Sequence, residues 1–202
     1  SKEDENTLVI FMSDNGFASL VINEKKLGQR NGEDLYSYQA GLRGYKKTPY
    51  EGGTLVPAFF RWKGKFKAGN KISGLSAHID LFPTLVELAG GKIQEKRDGR
   101  SLLPLLQNPQ TKWNERNLFF HIGRWGNNVG PDGSQYDKRP GRAGFAVRNS
   151  KFRLVNHEEL YDIENDPGEE NNVAKQYPEV LQEMQKSYDA WWHEMRPQMV
   201  NE

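Results

Sequence analysis

The chain has 202 residues, with 28 Lys and Arg against 27 Asp and Glu, a formal charge of +1 and no Cys. That length suits one large domain or two small ones, and the aromatic content is that of a globular protein rather than a disordered one. The composition excludes disulfides, thiolate metal sites and a Cys nucleophile, argues against general nucleic-acid binding, and holds no run of eighteen apolar residues to span a membrane.

The opening SKEDENT carries no basic-then-apolar signal pattern; any signal would lie upstream. Leu8 to Met12 is short, continuously apolar and stopped by Ser13-Asp14-Asn15-Gly16, which predicts a buried strand of a parallel sheet covered on both faces. Such a strand needs neighbours joined by crossovers, so residues upstream of Ser1 are expected in the same domain. Residues 23–34 are polar and read as a mobile surface excursion. Leu55 to Trp62 reads as a second strand, with Pro57 early or at an edge because it lacks an N–H. Ser76 to Ala89 reads as a helix with an apolar stripe of Ile79, Phe82, Leu85, Val86 and Ala89. Pro83 belongs in its first turn, so the regular part begins near Asp80, and Gly90-Gly91 stops it. Residues 91–117 are mostly connection, with an apolar patch at Leu102 to Leu106.

The texture then changes. Leu118 to Ile122, Gly144 to Arg148, Phe152 to Val155 and Glu159 to Tyr161 are short strands, with turns at 149–151 and 156–158, and predict a small antiparallel sheet. Asp162 to Asn172 is acidic and turn-rich. A closing helix starts near Pro178 and repeats Val180, Leu181, Met184, Tyr188, Trp191, Trp192 and Met195 on one face, as a core-facing stripe does. The division expected is residues 1–110, part of an α/β domain, and 111–202, a subdomain of antiparallel sheet and packed helix.

Several residues have chemistry to offer. Asp14 and Asn15 present hard oxygen donors at the end of a strand, where open α/β sheets place their ligands, and suit Ca²⁺ or Mg²⁺; they equally suit a plain Asn-Gly turn. Lys46 and Lys47 fit either stabilisation of an anionic group or simple solvation. Glu51, before Gly52-Gly53, fits a metal ligand less well than an acceptor of backbone hydrogen bonds that fixes the turn. His78 and Asp80 read as the structural opening of the helix. His121, Arg124 and Trp125 offer rings and a guanidinium to a sugar or an anion, or pack and solvate in the ordinary way. Two basic runs, from Arg61 to Lys71 and from Arg139 to Arg153, are solvated faces or attract an anionic substrate.

In order along the chain, SDNG, GYKKTPYEGG, VPAFFRWKGK, HIDLFPTLVELAG, DGRSLLPLL and ELYDIENDPGEENNVA together resemble the C-terminal part of the sulfatase family. The resemblance implies an alkaline-phosphatase-like α/β fold and a Ca²⁺ site in which Asp14 and Asn15 are ligands. It implies that Lys46, four residues before the Tyr of YEGG, contacts the sulfate; Lys47 does not match. The family's formylglycine motif, two further Asp ligands and catalytic His residues have no counterpart here. The expectation is therefore the C-terminal portion of a sulfuric-ester hydrolase, inactive without its N-terminal half, acting on a sulfated carbohydrate or aryl sulfate. His121 and Arg124 are the expected substrate contacts, and formylglycine is expected only in the missing part. A phosphoric-ester or phosphonate hydrolase of the same superfamily and a non-catalytic module for anionic glycans are the alternatives. With no Asn-x-Ser/Thr sequon, a bacterial periplasmic or secreted enzyme is expected over a lysosomal one.

Overall fold

The structure is a computed structural model that describes residues 2–17, 29–30, 33–34, 40–121 and 144–198. In chain order it holds a 3-10 turn (Lys2–Asn6), strands β1 (Leu8–Met12), β2 (Gln29–Arg30) and β3 (Glu33–Asp34), a one-turn helix α1 (Glu51–Thr54) and β4 (Ala58–Trp62). A 3-10 turn (His78–Asp80) leads into α2 (Leu81–Leu88), followed by α3 (Leu103–Gln107). Strands β5 (Leu118–His121), β6 (Phe145–Arg148), β7 (Phe152–Val155) and β8 (Glu159–Asp162) precede the long helix α4 (Pro178–Met195). These elements form two compact units, Ser1–Ser13 with Pro57–Arg116 and Asp14–Val56 with Asn117–Glu202. The segment from Asp14 to Val56 groups with the C-terminal sheet and helix.

In the first unit β1 pairs with β4, and the pairing is antiparallel, with Leu8 opposite Trp62 and Met12 opposite Ala58. The expected parallel strand is thus corrected as far as this pair goes. An unbroken apolar run says that both faces tolerate burial, not which direction the neighbour runs. Pro57 stands just before β4, and its carbonyl accepts the Ser13 N–H. On one face of the ribbon Phe11 and Phe59 lie opposite each other, 64% and 62% exposed. Arg61 and Lys63, from the first basic run, fold back on Asp4 at 2.8 and 3.4 Å.

Helix α2 starts where Pro83 places it, in the first turn. Asp80 anchors the start. Its fully buried carboxylate accepts the N–H groups of Ala77 and Arg100, both at 2.8 Å, and pairs with the Arg116 guanidinium. Thr84 bridges the Asp80 carbonyl and the Leu102 N–H, tying α2 to the segment that enters α3. The apolar stripe of α2 is not covered within this unit: Ile79, Phe82 and Leu85 are each about half exposed. Periodicity identifies an apolar face but not what covers it, and here Asp80, Pro83 and Thr84 take the buried positions.

In the second unit β5, β6, β7 and β8 form an antiparallel meander in chain order. Asn156 and His157 both have positive φ, the geometry of a tight hairpin turn matched to strand twist. Strand β7 is buried along its length. One face of the sheet packs Ala146, Val155 and Tyr161 with Tyr50 and Ile163; the other packs Val147, Leu154 and Leu160 against Met184 and Tyr188 of α4. Burying an aliphatic side chain of this size contributes about 1.5–3 kcal/mol, so tertiary packing on this face holds α4 in place. Strands β2 and β3 pair as a two-residue ribbon. The rest of the polar stretch 23–34 lies outside the described residues.

Candidate active-site segment

Three glycines bring SDNG and GYKKTPYEGG together. A Cβ on Gly16 would stand 2.6 Å from Gly53 C and 2.8 Å from Gly53 Cα, and would collide with Gly52 O. Only a hydrogen at Cα permits that approach. A Cβ on Gly52 would meet the carbonyl oxygens of Gly44 and Arg43, and one on Gly53 would meet those of Tyr45 and Thr48. The backbones are joined by Gly16 N–H donating to Gly53 O at 3.1 Å and Lys46 N–H donating to Phe17 O at 2.7 Å. Asp14, Asn15 and Lys46 therefore belong to one hydrogen-bonded backbone assembly. Asp14 is exposed, and Asn15 and Lys46 are half-buried.

Lys46 sits in a tight turn. Thr48 N–H and its hydroxyl both donate to Tyr45 O, and Tyr45 N–H donates to the same hydroxyl. Lys47 has φ of 76°. Such a turn fixes the direction of the Lys46 backbone without help from its side chain.

The turn that follows is pinned from the C-terminal sheet. Glu51 is 2% exposed, and its Oε1 accepts from Arg148 Nε at 2.8 Å and from Arg153 Nε and Nη2 at 2.9 and 2.6 Å. Burial works against the Glu51 carboxylate, and the two guanidiniums outweigh it, so its pKa falls below the ordinary value. Arg153 also donates to Pro49 O and to Thr54 Oγ1. The Glu51 N–H donates to Glu169 Oε2 at 2.8 Å. Glu169 is 1% exposed and has φ of 54°; burial pushes its carboxyl up to about 7, against the opposing pull of Arg153. Arg43 lies over the Tyr50 ring at 4.0 Å and donates to Tyr161 Oη at 2.6 Å and Glu169 O at 3.2 Å.

Glu51 does fix the turn, as expected, but through side chains of the sheet. Arg148 and Arg153 had been read as part of a basic run; they are interior partners of Glu51 instead. No periodicity marks them, because an Arg at an inward strand position looks like one on a solvated face.

His121 is held elsewhere in the same unit. Its Nδ1 lies 3.0 Å from Tyr188 Oη, and its ring stacks on Trp192 at 4.4 Å. Burial drops its pKa to about 4. A neutral ring in an aromatic stack brings no positive charge to an anionic ester. Arg124 and Trp125 lie outside the described residues, as do Arg139 and Arg142. His78 Nε2 is 2.8 Å from Ser13 O and acts as structure, like Asp80.

As a metal site, the donors present suit a hard cation: one exposed carboxylate and one amide oxygen. No group of three His, Cys, Asp or Glu side chains stands together among the described residues, so Asp14 and Asn15 can furnish only part of a shell.

Residues 44–194 match the family described as N-sulphoglucosamine sulphohydrolase, C-terminal, and the chain belongs to that sulfatase family. Human steryl-sulfatase is 30% identical over 91% of this chain and 35% of its own length. An N-acetylgalactosamine-6-O-sulfatase of Bacteroides thetaiotaomicron is 32% identical over 92% of this chain and 36% of its own. A solved structure from work on glycosaminoglycan metabolism in that bacterium superposes with a TM-score of 0.67 at 25% identity, covering 94% of this chain and 39% of that one. The chain thus spans about a third of the length of the curated relatives it matches. Its fold class is α/β and alkaline-phosphatase-like, with a small antiparallel sheet and a C-terminal helix.

Proposed function

We propose that the chain supplies the C-terminal part of a sulfuric-ester hydrolase acting on a sulfated carbohydrate or an aryl sulfate. The observation that carries this reading is the backbone clamp of Gly16 on Gly53 and Phe17 on Lys46, which keeps Asp14, Asn15 and Lys46 in one assembly in a member of a sulfatase family. Asp14 and Asn15 would hold Ca²⁺, with Mg²⁺ as the smaller alternative, and donors from the rest of the protein would complete the shell. The ion supplies positive charge beside an ester oxygen when bound. Lys46 neutralises charge that develops on the sulfate or its bridging oxygen. His121, as a neutral ring, and Arg124, with Trp125, remain the proposed sugar contacts.

The nucleophile, a formylglycine by resemblance, belongs to an N-terminal part, so these 202 residues alone hydrolyse no ester. The same N-terminal part is the proposed cover for the exposed faces of β1, β4 and α2, since patches of this kind mark association surfaces. A bacterial periplasmic or secreted location fits the carbohydrate reading. No helix among the described residues is long and apolar enough to cross a membrane.

The test is turnover of 4-nitrophenyl sulfate and 4-nitrophenyl phosphate by the protein that carries these residues with their upstream part. Sulfate turnover is expected, lowered on the order of 100-fold or more by Lys46→Ala. It is also expected to vanish with chelator and in Asp14→Ala. Faster turnover of the phosphate would transfer the reading to a phosphoric-ester hydrolase. Binding of a sulfated oligosaccharide that ignores both substitutions, with no turnover, would replace the enzyme by a binding module.

A further inference from the structure

We propose that Glu169 and Arg153 are positioning residues for the Asp14, Asn15 and Lys46 site, acting through the main chain of the Pro49–Thr54 turn. The inference rests on the sulfatase reading above. Neither residue belongs to any motif of the site, and both come from the C-terminal sheet and the loop after it.

The contacts form a continuous relay. Arg153 spends its guanidinium on this turn: Pro49 O, Glu51 Oε1 and Thr54 Oγ1 all accept from it. Glu169 holds the one N–H of the turn that would otherwise enter α1 unpaired, that of Glu51. The turn then passes its position on by backbone contact. Gly53 O receives the Gly16 N–H, and Gly52 and Gly53 leave no space for Gly16 to shift. Gly16 follows Asp14-Asn15 directly. On the other side, Thr48 closes the turn that carries Lys46 and is followed by Pro49.

A purely structural role would not need charge. Buried ion clusters stabilise weakly at best, and apolar side chains of equal volume usually do as well. Here Arg148 and Arg153 face Glu51 and Glu169, with Arg43 also near Glu169, in a site where the two acids and Arg153 are at most 2% exposed. Glu169 Oε1 accepts no hydrogen bond and lies 3.6 Å from Arg153 Nε. What Arg153 and Glu169 provide is direction: Arg153 fixes Pro49 O and Glu169 fixes the Glu51 N–H, which an apolar side chain cannot do.

Two measurements on the full protein test this. The first is amide hydrogen exchange at Gly16 and Lys46, with Val147 in β6 as the internal reference. Glu169→Ala is expected to raise exchange at Gly16 and Lys46 at least 10-fold while Val147 is unchanged. Glu169→Gln, which keeps an acceptor for the Glu51 N–H, is expected to restore protection. The second is steady-state turnover: Glu169→Ala and Arg153→Lys are expected to lower kcat 10- to 100-fold with KM within about 3-fold, and Glu169→Gln to recover most of kcat. Unchanged exchange at Gly16 and Lys46 in Glu169→Ala overturns the relay whatever the turnover. Equal loss of protection at all three amides also overturns it, since that is global destabilisation. A parent protein that turns over no sulfate ester defeats the hydrolase reading, and the exchange pattern reports separately.

Discussion

Gly16→Ala is the substitution that weighs the backbone clamp most directly. The added methyl would fall 2.6 Å from Gly53 C and 2.8 Å from Gly53 Cα, well inside ordinary carbon contact, and would strike Gly52 O. All three obstacles are main chain, so no side chain can rotate away. Overpacking of this kind costs about 1–3 kcal/mol, and losing the Gly16 to Gly53 hydrogen bond adds about 1. Reduced freedom of the unfolded chain returns about 0.4–1. The net loss is about 1–3.5 kcal/mol, or a fall in Tm of roughly 2–14 °C for a protein of this size. Thermal unfolding with and without Ca²⁺ is the assay. Under the proposed Ca²⁺ reading, the substitution should also weaken Ca²⁺ binding, because the collision pushes Asp14 and Asn15 away from the Lys46 turn. An alanine variant that melts within 1 °C of the parent, with unchanged Ca²⁺ dependence, would refute the clamp.

Other outcomes follow from buried charge. Glu169 is raised to about 7 from an unfolded value of 4.5, so the native state binds more protons between those limits. Stability from this group is fully present below about 4.5 and lost as pH rises through 7, nominally about 3 kcal/mol. Glu169→Gln should flatten that decline in a Tm series from pH 4.5 to 8, and an unchanged slope would count against it. His121 runs the other way: lowered to about 4 from 6.5, it is stabilising above 6.5 and loses that contribution as pH falls toward 4. Its ring is partly exposed, so about 1–2 kcal/mol is the working figure. His121→Phe should remove the acid-side loss while keeping the stack on Trp192, and a persisting loss would place its origin elsewhere. Arg116→Met strands the fully buried Asp80 carboxylate and should cost about 3–5 kcal/mol in chemical denaturation; a loss under 1 kcal/mol would mean that backbone N–H groups alone satisfy Asp80.

Much of the C-terminal sheet and α4 could be read from residues alone, because the strands are short and β6, β7 and β8 are separated by turns that hold Asn149 and Asn156. The helix at Pro83 was legible for a similar reason: a ring that cannot donate fixes its own place in the first turn. The direction of β1 relative to β4 was not, since side-chain pattern carries no sign for strand polarity. Nor was the exposure of Phe82 and Leu85, which depends on what packs above the helix rather than on its spacing. At the site, Asp14, Asn15 and Lys46 stood out through ordered motifs. Glu169 lies in the ELYDIENDPGEENNVA motif, but its link to the site, like that of Arg153, was not legible, because their meaning lies in which backbone atoms they reach across the fold. His121 was expected as a substrate contact, and its aromatic neighbours on α4 became visible only in three dimensions.

The Glu51 to Arg153 pair joins residues 102 positions apart, and the Glu51 to Glu169 bond spans 118. Contacts at that separation carry the full entropy of closing a long loop before they return anything, so they form late. On the ribosome, at about 5–20 residues per second, the YEGG turn emerges roughly 5–20 s before the strand that locks it. During that interval SDNG and YEGG have only each other's backbone to hold. The proposed site is therefore among the last parts to become ordered, and a nascent chain stalled before β7 would carry Asp14, Asn15 and Lys46 with no finished assembly around them.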